Sequence, residues 1–218
     1  SGRTTLAGEG LQHQDGHGLL FAQFIPNCVS YDPTFAYELA VIIQDGLRRM
    51  FQEQENVFYY VATLNENYPH PAMPEGAQEG ILKGLYKFKE AEIKGAQLQA
   101  QLLGSGAILN EAVKAQKILA EKYGVAADVW SATSYKELHR DAVETERWNI
   151  LHPEEPPRTA YVSQALGGAP GPIVAASDYL KMLPDSICRW MPRPLIALGT
   201  DGFGRSDGRE ALRDFFEV

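Results

Sequence analysis

Gln99-Ala100-Gln101-Leu102-Leu103-Gly104-Ser105-Gly106, running straight into the helical pattern of residues 110–123, is the stretch that decides the fold. An apolar run that ends in small residues and leads at once into a helix is a building unit of an α/β sheet. Within that helix Ala112, Ala115, Ile118 and Leu119 share one face, and Gly124 supplies a C-terminal stop. Downstream, residues 127–132, 160–165, 173–176 and 195–198 read as strands. Residues 135–149 read as mostly helical, with room for a break midway. A further helix covers about 178–191, where Pro184 interrupts the pattern. In the last helix Asp207 and Glu210 have capping-box spacing, and Leu212, Phe215 and Phe216 line one side. The alternation predicts an α/β domain with an open, mostly parallel sheet and flanking helices.

Upstream, residues 27–31 and 57–64 read as strands. The helix between them opens on Asp32 as cap and Pro33 as first helical residue, with Phe35, Leu39, Ile42, Ile43, Leu47 and Met50 as its apolar face. Residues 65–80 hold three prolines, two asparagines and two glycines, which marks a linker. A domain boundary is placed near residue 75, giving segments 1–74 and 75–218. Residues 81–88 fit either a short helix or an edge strand.

Composition narrows the function classes. A chain of 218 residues suffices for one or two domains with a substantial core. A net charge of −8 argues against nonspecific nucleic-acid binding, which needs Lys and Arg to neutralise phosphates. No run of 18 apolar residues is present, so no membrane span is expected. Cys28 and Cys188 lie far apart and outside any CxxC, which suggests two buried free thiols in a reducing compartment. The chain starts without an apolar signal region and stops at Phe215-Phe216-Glu217-Val218 without a polar tail, as a piece of a longer polypeptide would.

The densest chemistry lies in residues 9–17, where Glu9, His13, Asp15 and His17 sit among glycines. Imidazole exchanges protons near neutral pH, and a nearby carboxylate orients the ring and stabilises its charged form. The stretch is either an active-site loop or a solvated polar turn. A metal site is disfavoured, because Gln14 follows His13 where a zinc-protease pattern needs Glu, and the glycines oppose a helix. Gly104-Ser105-Gly106 has Leu109 where a dinucleotide fingerprint needs a third glycine, so packing of a tight turn is the better reading than a phosphate cradle. Residues 199–207 read as a structured loop capping the last helix. His70, His139 and His152 suit surface or hydrogen-bonded structural roles.

Residues 3–17, Arg3-Thr4-Thr5-Leu6-Ala7-Gly8-Glu9-Gly10-Leu11-Gln12-His13-Gln14-Asp15-Gly16-His17, resemble the corresponding stretch of homodimeric-type pyruvate dehydrogenases, members of the transketolase-like superfamily. Ile25-Pro26-Asn27-Cys28-Val29-Ser30-Tyr31-Asp32-Pro33, Leu64-Asn65-Glu66-Asn67-Tyr68, Met73-Pro74-Glu75-Gly76, Glu146-Arg147-Trp148-Asn149 and residues 199–207 extend the resemblance over nearly the whole chain. It implies that residues 75–218 are a transketolase-like carboxy-terminal domain, preceded by the end of the middle, pyrimidine-binding domain. It also implies decarboxylation of pyruvate on thiamine diphosphate, with magnesium, and reductive acetylation of a lipoyl group. The implied partners are the rest of the polypeptide, a second subunit of a homodimer, and the lipoyl domain and binding region of the dihydrolipoamide acetyltransferase, in a bacterial cytoplasm. His13 and Glu9 would lie in the active-site cleft, with Asp15 and His17 as less certain neighbours.

The departures matter as much. The Gly-Asp-Gly…Asn motif that holds magnesium in thiamine-diphosphate enzymes is absent; Thr200-Asp201-Gly202 lacks the first glycine and the distant Asn. The family glutamate that activates the cofactor is absent too, as are a final strand and helix expected beyond Val218. The chain alone is therefore expected to be inactive and to hold no cofactor, with an unpaired sheet edge in residues 1–70. A stand-alone dimerisation or interaction module built on such a carboxy-terminal domain is the alternative, and another 2-oxo acid remains open as substrate.

Overall fold

A computed structural model describes residues 2–5, 10–64 and 66–217. After a short 3-10 turn at Leu11–His13, the chain forms α1 (Gly18–Gln23), β1 (Cys28–Tyr31), α2 (Ala36–Leu47) and β2 (Phe58–Val61). There follow α3 (Ala77–Lys83), β3 (Tyr86–Lys89), β4 (Leu98–Gly104), α4 (Ile108–Tyr123), β5 (Val125–Ser131), α5 (Tyr135–Leu151) and α6 (Tyr161–Gly167). The chain ends in β6 (Ile173–Ala176), α7 (Met182–Asp185), β7 (Leu195–Leu198) and α8 (Arg209–Phe216).

β1 and β2 pair in parallel, Val29 opposite Tyr59. The larger sheet has the order β3-β5-β4-β6-β7. Its last four strands are parallel, with Leu102 opposite both Val129 and Val174; β3 alone is antiparallel. Central strands of a parallel sheet are covered on both faces, and β4 and β5 are accordingly buried along their carboxyl halves. Leu103, Val129 and Ile173 are fully buried, each contributing about 2 kcal/mol of apolar burial. The open, mostly parallel sheet expected from the alternation is the observed one.

Several local readings change. Residues 160–165 form helix α6, not a strand: Val162 and Leu166 sit four apart on its buried face, and Asp141 accepts from the Tyr161 amide at 2.6 Å. Residues 81–88 contain both alternatives, the end of α3 and the edge strand β3, so the linker closes at Gly76. α5 is unbroken. The region of Pro184 holds only the four-residue α7 and a 3-10 turn at Cys188–Trp190. α4 begins at Ile108; Ile118 is exposed, and Gln116 is fully buried on the face of Leu109 and Ala112, its amide donating to the carbonyls of Ala127 at 2.7 Å and Glu90 at 3.0 Å. Cys188 is exposed, and only Cys28 is buried.

α2 departs furthest. Phe35, not Asp32, occupies the cap position, and the Glu38 carboxylate reaches back to accept from the amides of Thr34 and Phe35. Ile43 and Leu47 are about half exposed, while Glu38 and Asp45 are buried. Glu38 is also held by Tyr86 and Ser131 hydroxyls, both at 2.7 Å, so the buried face of this helix mixes hydrogen-bonded carboxylates with the apolar Val41 and the expected Ile42.

Candidate functional site

The carboxyl ends of β1, β4, β5 and β6 meet in one region. Asp32 donates its amide to the Thr133 carbonyl at 2.8 Å, and its own carbonyl accepts from Gly106 at 3.1 Å. Thr34 donates to the Gly106 carbonyl at 2.7 Å, and Ser134 to the Ser30 carbonyl at 2.6 Å. Gly106 has φ of 52°, and a Cβ there would meet the Asp32 carboxylate. The Gly104-Ser105-Gly106 turn is thus filled by a carboxylate of the chain itself, which fits tight packing and leaves no phosphate cradle.

Asp32 has both carboxylate oxygens buried without a hydrogen-bond partner among the described residues. Burial pushes its pKa up to about 7, against a stabilising pull from Ser105 and with Asp178 and Glu38 pushing the same way as burial. A hole of about 10 Å³ beside it, lined also by Tyr135 and Thr133, has room for a single water.

The second cluster forms where Arg3-Thr4-Thr5 enters the carboxyl end of β6. Asp178 accepts from the Thr4 amide at 2.8 Å, the Thr4 hydroxyl at 2.6 Å and the Thr5 hydroxyl at 3.0 Å. Arg3 is buried; its guanidinium donates to the Thr200 carbonyl and lies 3.4 Å from Nδ1 of His17. Thr200 in turn donates its hydroxyl to the Asp178 carbonyl at 2.8 Å. Gly16 packs so closely on Arg3 that a Cβ would collide with the guanidinium.

From this platform the 10–17 stretch crosses the surface. Asp15 accepts from the amides of His17 at 3.0 Å and Gly18 at 2.7 Å, which satisfies the first turn of α1, and its other oxygen accepts from Tyr60 at 3.1 Å. Lys136, buried on α5, donates to the carbonyls of Ala22 and Ile25 at the far end of α1. Burial lowers its pKa. α1 is therefore tied at both ends by charged side chains.

The expected site residues separate into classes. Glu9 lies outside the described residues. His13 is exposed on its 3-10 turn. His17 is exposed, stacks on Phe21 with ring centroids 6.1 Å apart, and borders an open cleft of about 760 Å³ lined by Leu180, Lys181, Met182, Asp201 and Phe203. Lys181 and Asp201 pair across it at 3.0 Å. Asp15 has its carboxylate committed to backbone and Tyr60, an anchor rather than an acid or base. Among the described residues no three His, Cys, Asp or Glu side chains converge in a way that would hold a metal ion. His70 accepts from the Ala36 amide at 3.0 Å, His139 packs edge-on against Trp190, and His152 stacks on Trp148, the structural roles expected of them.

The sequence reading missed the residues that hold this loop. Residues 199–207 do not cap α8, whose cap residue Gly208 supplies no side chain; Asp207 is spent on the Gly208 amide. Instead the segment grips the loop: Gln14 bonds both the amide and the carbonyl of Arg205, and Ser206 Oγ accepts from the Leu11 amide at 3.1 Å. These contacts span more than 190 residues, so no local pattern announces them.

Comparison with known proteins agrees with this architecture. A family model described as "Pyruvate dehydrogenase E1 component middle domain" matches residues 1–71, and one described as "Transketolase-like TK C-terminal domain" matches residues 84–218. The pyruvate dehydrogenase E1 component of Pseudomonas aeruginosa is 55% identical over 219 residues, covering 100% of this chain and 25% of its own length. That of Escherichia coli K12 is 56% identical over 220 residues, covering 100% and 24%. The chain thus spans about a quarter of the length of the curated relatives it matches. Among solved structures, a transketolase from Pichia stipitis superposes with a TM-score of 0.65 at 18% identity, covering 99% of this chain and 27% of that one. Transketolase from Leishmania mexicana gives 0.62 at 18% identity, covering 97% and 26%. With a carboxy-terminal domain model matched over most of its length, and E1 components similar to it from end to end, the chain belongs to the transketolase-like family as a stretch shared with pyruvate dehydrogenase E1 components.

Proposed function

We propose that this chain serves as part of a pyruvate dehydrogenase E1 component, acting in the decarboxylation of pyruvate on thiamine diphosphate and the reductive acetylation of a lipoyl group. The observation that carries the reading is identity above half over the whole chain with E1 components, the 3–17 string included. The chain divides near residue 75, into the end of the middle domain (1–74) and the carboxy-terminal domain (75–218).

The described residues bring no three His, Cys, Asp or Glu side chains together to hold a metal ion. They fit one side of a site completed by other polypeptide, from the same chain and from a second subunit of a homodimer. The cofactor, when bound there, supplies the electron sink for decarboxylation. The exposed His13 ring holds or passes a proton at the reacting groups, and Glu9 is the second residue that the family resemblance assigns to the reaction. His17 borders the same surface, and Asp15 orients the loop. Dihydrolipoamide acetyltransferase, through its lipoyl domain, is the macromolecular partner, and the cytoplasm the compartment.

The test is kinetic. In the full-length polypeptide His13→Ala is expected to lower kcat for pyruvate-driven acetylation of a lipoyl domain by about 10²-fold or more, the scale of a positioned acid or base. An unchanged kcat in a folded His13→Ala variant removes His13 from the reaction.

A further inference from the structure

Open α/β sheets take ligands in the crevice at the carboxyl ends of the strands where the strand order reverses. In the larger sheet that reversal falls between β4 and β6, because β5 lies on one side of β4 and the chain crosses back to place β6 on the other. The walls of this crevice are Ser105 and Ser177, their hydroxyls 3.5 Å apart, and Asp178. Asp178 is 3% exposed, and its carboxylate is occupied by the Thr4 amide and the Thr4 and Thr5 hydroxyls. A side chain at Gly2 would collide with the same carboxylate.

We propose that this crevice has the chain's own Arg3-Thr4-Thr5 as its ligand, and that Asp178 is thereby a positioning residue which sets the catalytic loop from the carboxy-terminal half. Anchors lie on both sides of residues 6–9. On the upstream side, Asp178, Thr200 and Arg209 hold residues 3–5; Arg209 Nε donates to the Thr5 carbonyl at 2.9 Å. On the downstream side, Ser206 holds Leu11, Arg205 holds Gln14, and the Leu180 amide donates to the Gly16 carbonyl at 3.2 Å. Arg3 joins the two sides through its approach to His17. Every one of these anchors outside the loop itself comes from residues 178–209. The middle-domain loop is thus bracketed by two carboxy-terminal turns, and its assignment as catalytic rests on the function proposed above.

Amide hydrogen exchange in the full-length polypeptide, without substrate, tests the grip independently of activity. Asp178→Ala is expected to speed exchange at least tenfold in peptides covering residues 2–5 and 10–18, with peptides of β4 and β5 unchanged. Thr4→Val with Thr5→Val removes the two hydroxyl donors from the other side and gives the same local pattern at smaller amplitude, which covers the case of an Asp178→Ala protein that does not fold. Unchanged exchange at 2–5 and 10–18, or acceleration spread equally over β4 and β5, overturns the proposal and leaves Asp178 a general core residue. Failure of the His13→Ala kinetic test, with the local exchange pattern present, discards the catalytic assignment and keeps the grip.

Discussion

Tyr60 on β2 donates its hydroxyl to Asp15 at 3.1 Å, and so ties the small sheet to the first turn of α1. The same carboxylate satisfies two amides that the helix leaves without partners at its start. Asp15→Ala is expected to lower unfolding stability by about 1–2 kcal/mol, the cost of a lost N-terminal cap, and Tyr60→Phe by about 1 kcal/mol. Urea unfolding of the singles and the double variant checks the coupling: the double loses less than the sum, because either change breaks the shared bond.

Asp32 sets a pH dependence of stability. Its folded pKa of about 7 exceeds the ordinary carboxylate value of 3.8, so the folded state binds the proton more tightly than the unfolded chain. The favourable contribution is complete below pH 4 and is lost as pH rises to about 7. The penalty at neutral pH amounts to about 4 kcal/mol at most, from three units at about 1.4 kcal/mol each. Burial also raises the pKa values of Glu38 and Asp178, so both carboxyls contribute to the wild-type profile. Tyr135 and Tyr179, whose hydroxyls are buried without partners among the described residues, and Lys136 line the surroundings of Asp32. The expected outcome is a flatter dependence for Asp32→Asn than for wild type between pH 4 and 7, measured as unfolding midpoint against pH. Parallel profiles contradict it.

Gln116 is the buried polar bridge of the α4–β5 packing. Replacing it by Leu strands the carbonyl of Ala127 in the core and removes the bond to Glu90. The expected loss is about 2–3 kcal/mol, read by chemical denaturation. A loss under 0.5 kcal/mol would show that the two carbonyls are satisfied by other means.

Legibility followed locality. β4, β5 and α4 were readable because their burial is decided within the sheet, where an apolar run or a helical stripe reports it directly. α2 was read in part: Phe35 and Ile42 are buried as expected, but Ile43 and Leu47 stay about half exposed, while Glu38 and Asp45 are buried by hydrogen bonds that hydropathy does not register. α6 was misread because its seven residues are too few for helical period to stand out from a short apolar run. Of the site, His13, Asp15 and His17 were visible as chemistry in a glycine-rich loop, and the resemblance gave them a role. Their supports, Asp178, Thr200 and Arg205, were not visible, because what makes them important is contact across nearly the whole length of the chain.

In the function proposed above, the 10–17 loop forms one wall of a site completed by polypeptide outside this chain. Peptide-mapped diethylpyrocarbonate modification of His13 tests it most directly, comparing the full-length polypeptide with and without thiamine diphosphate and magnesium. The cofactor is expected to slow modification of His13 at least several-fold while His152, on the far end of α5, reacts equally in both. Equal reactivity of His13 with and without the cofactor would contradict it.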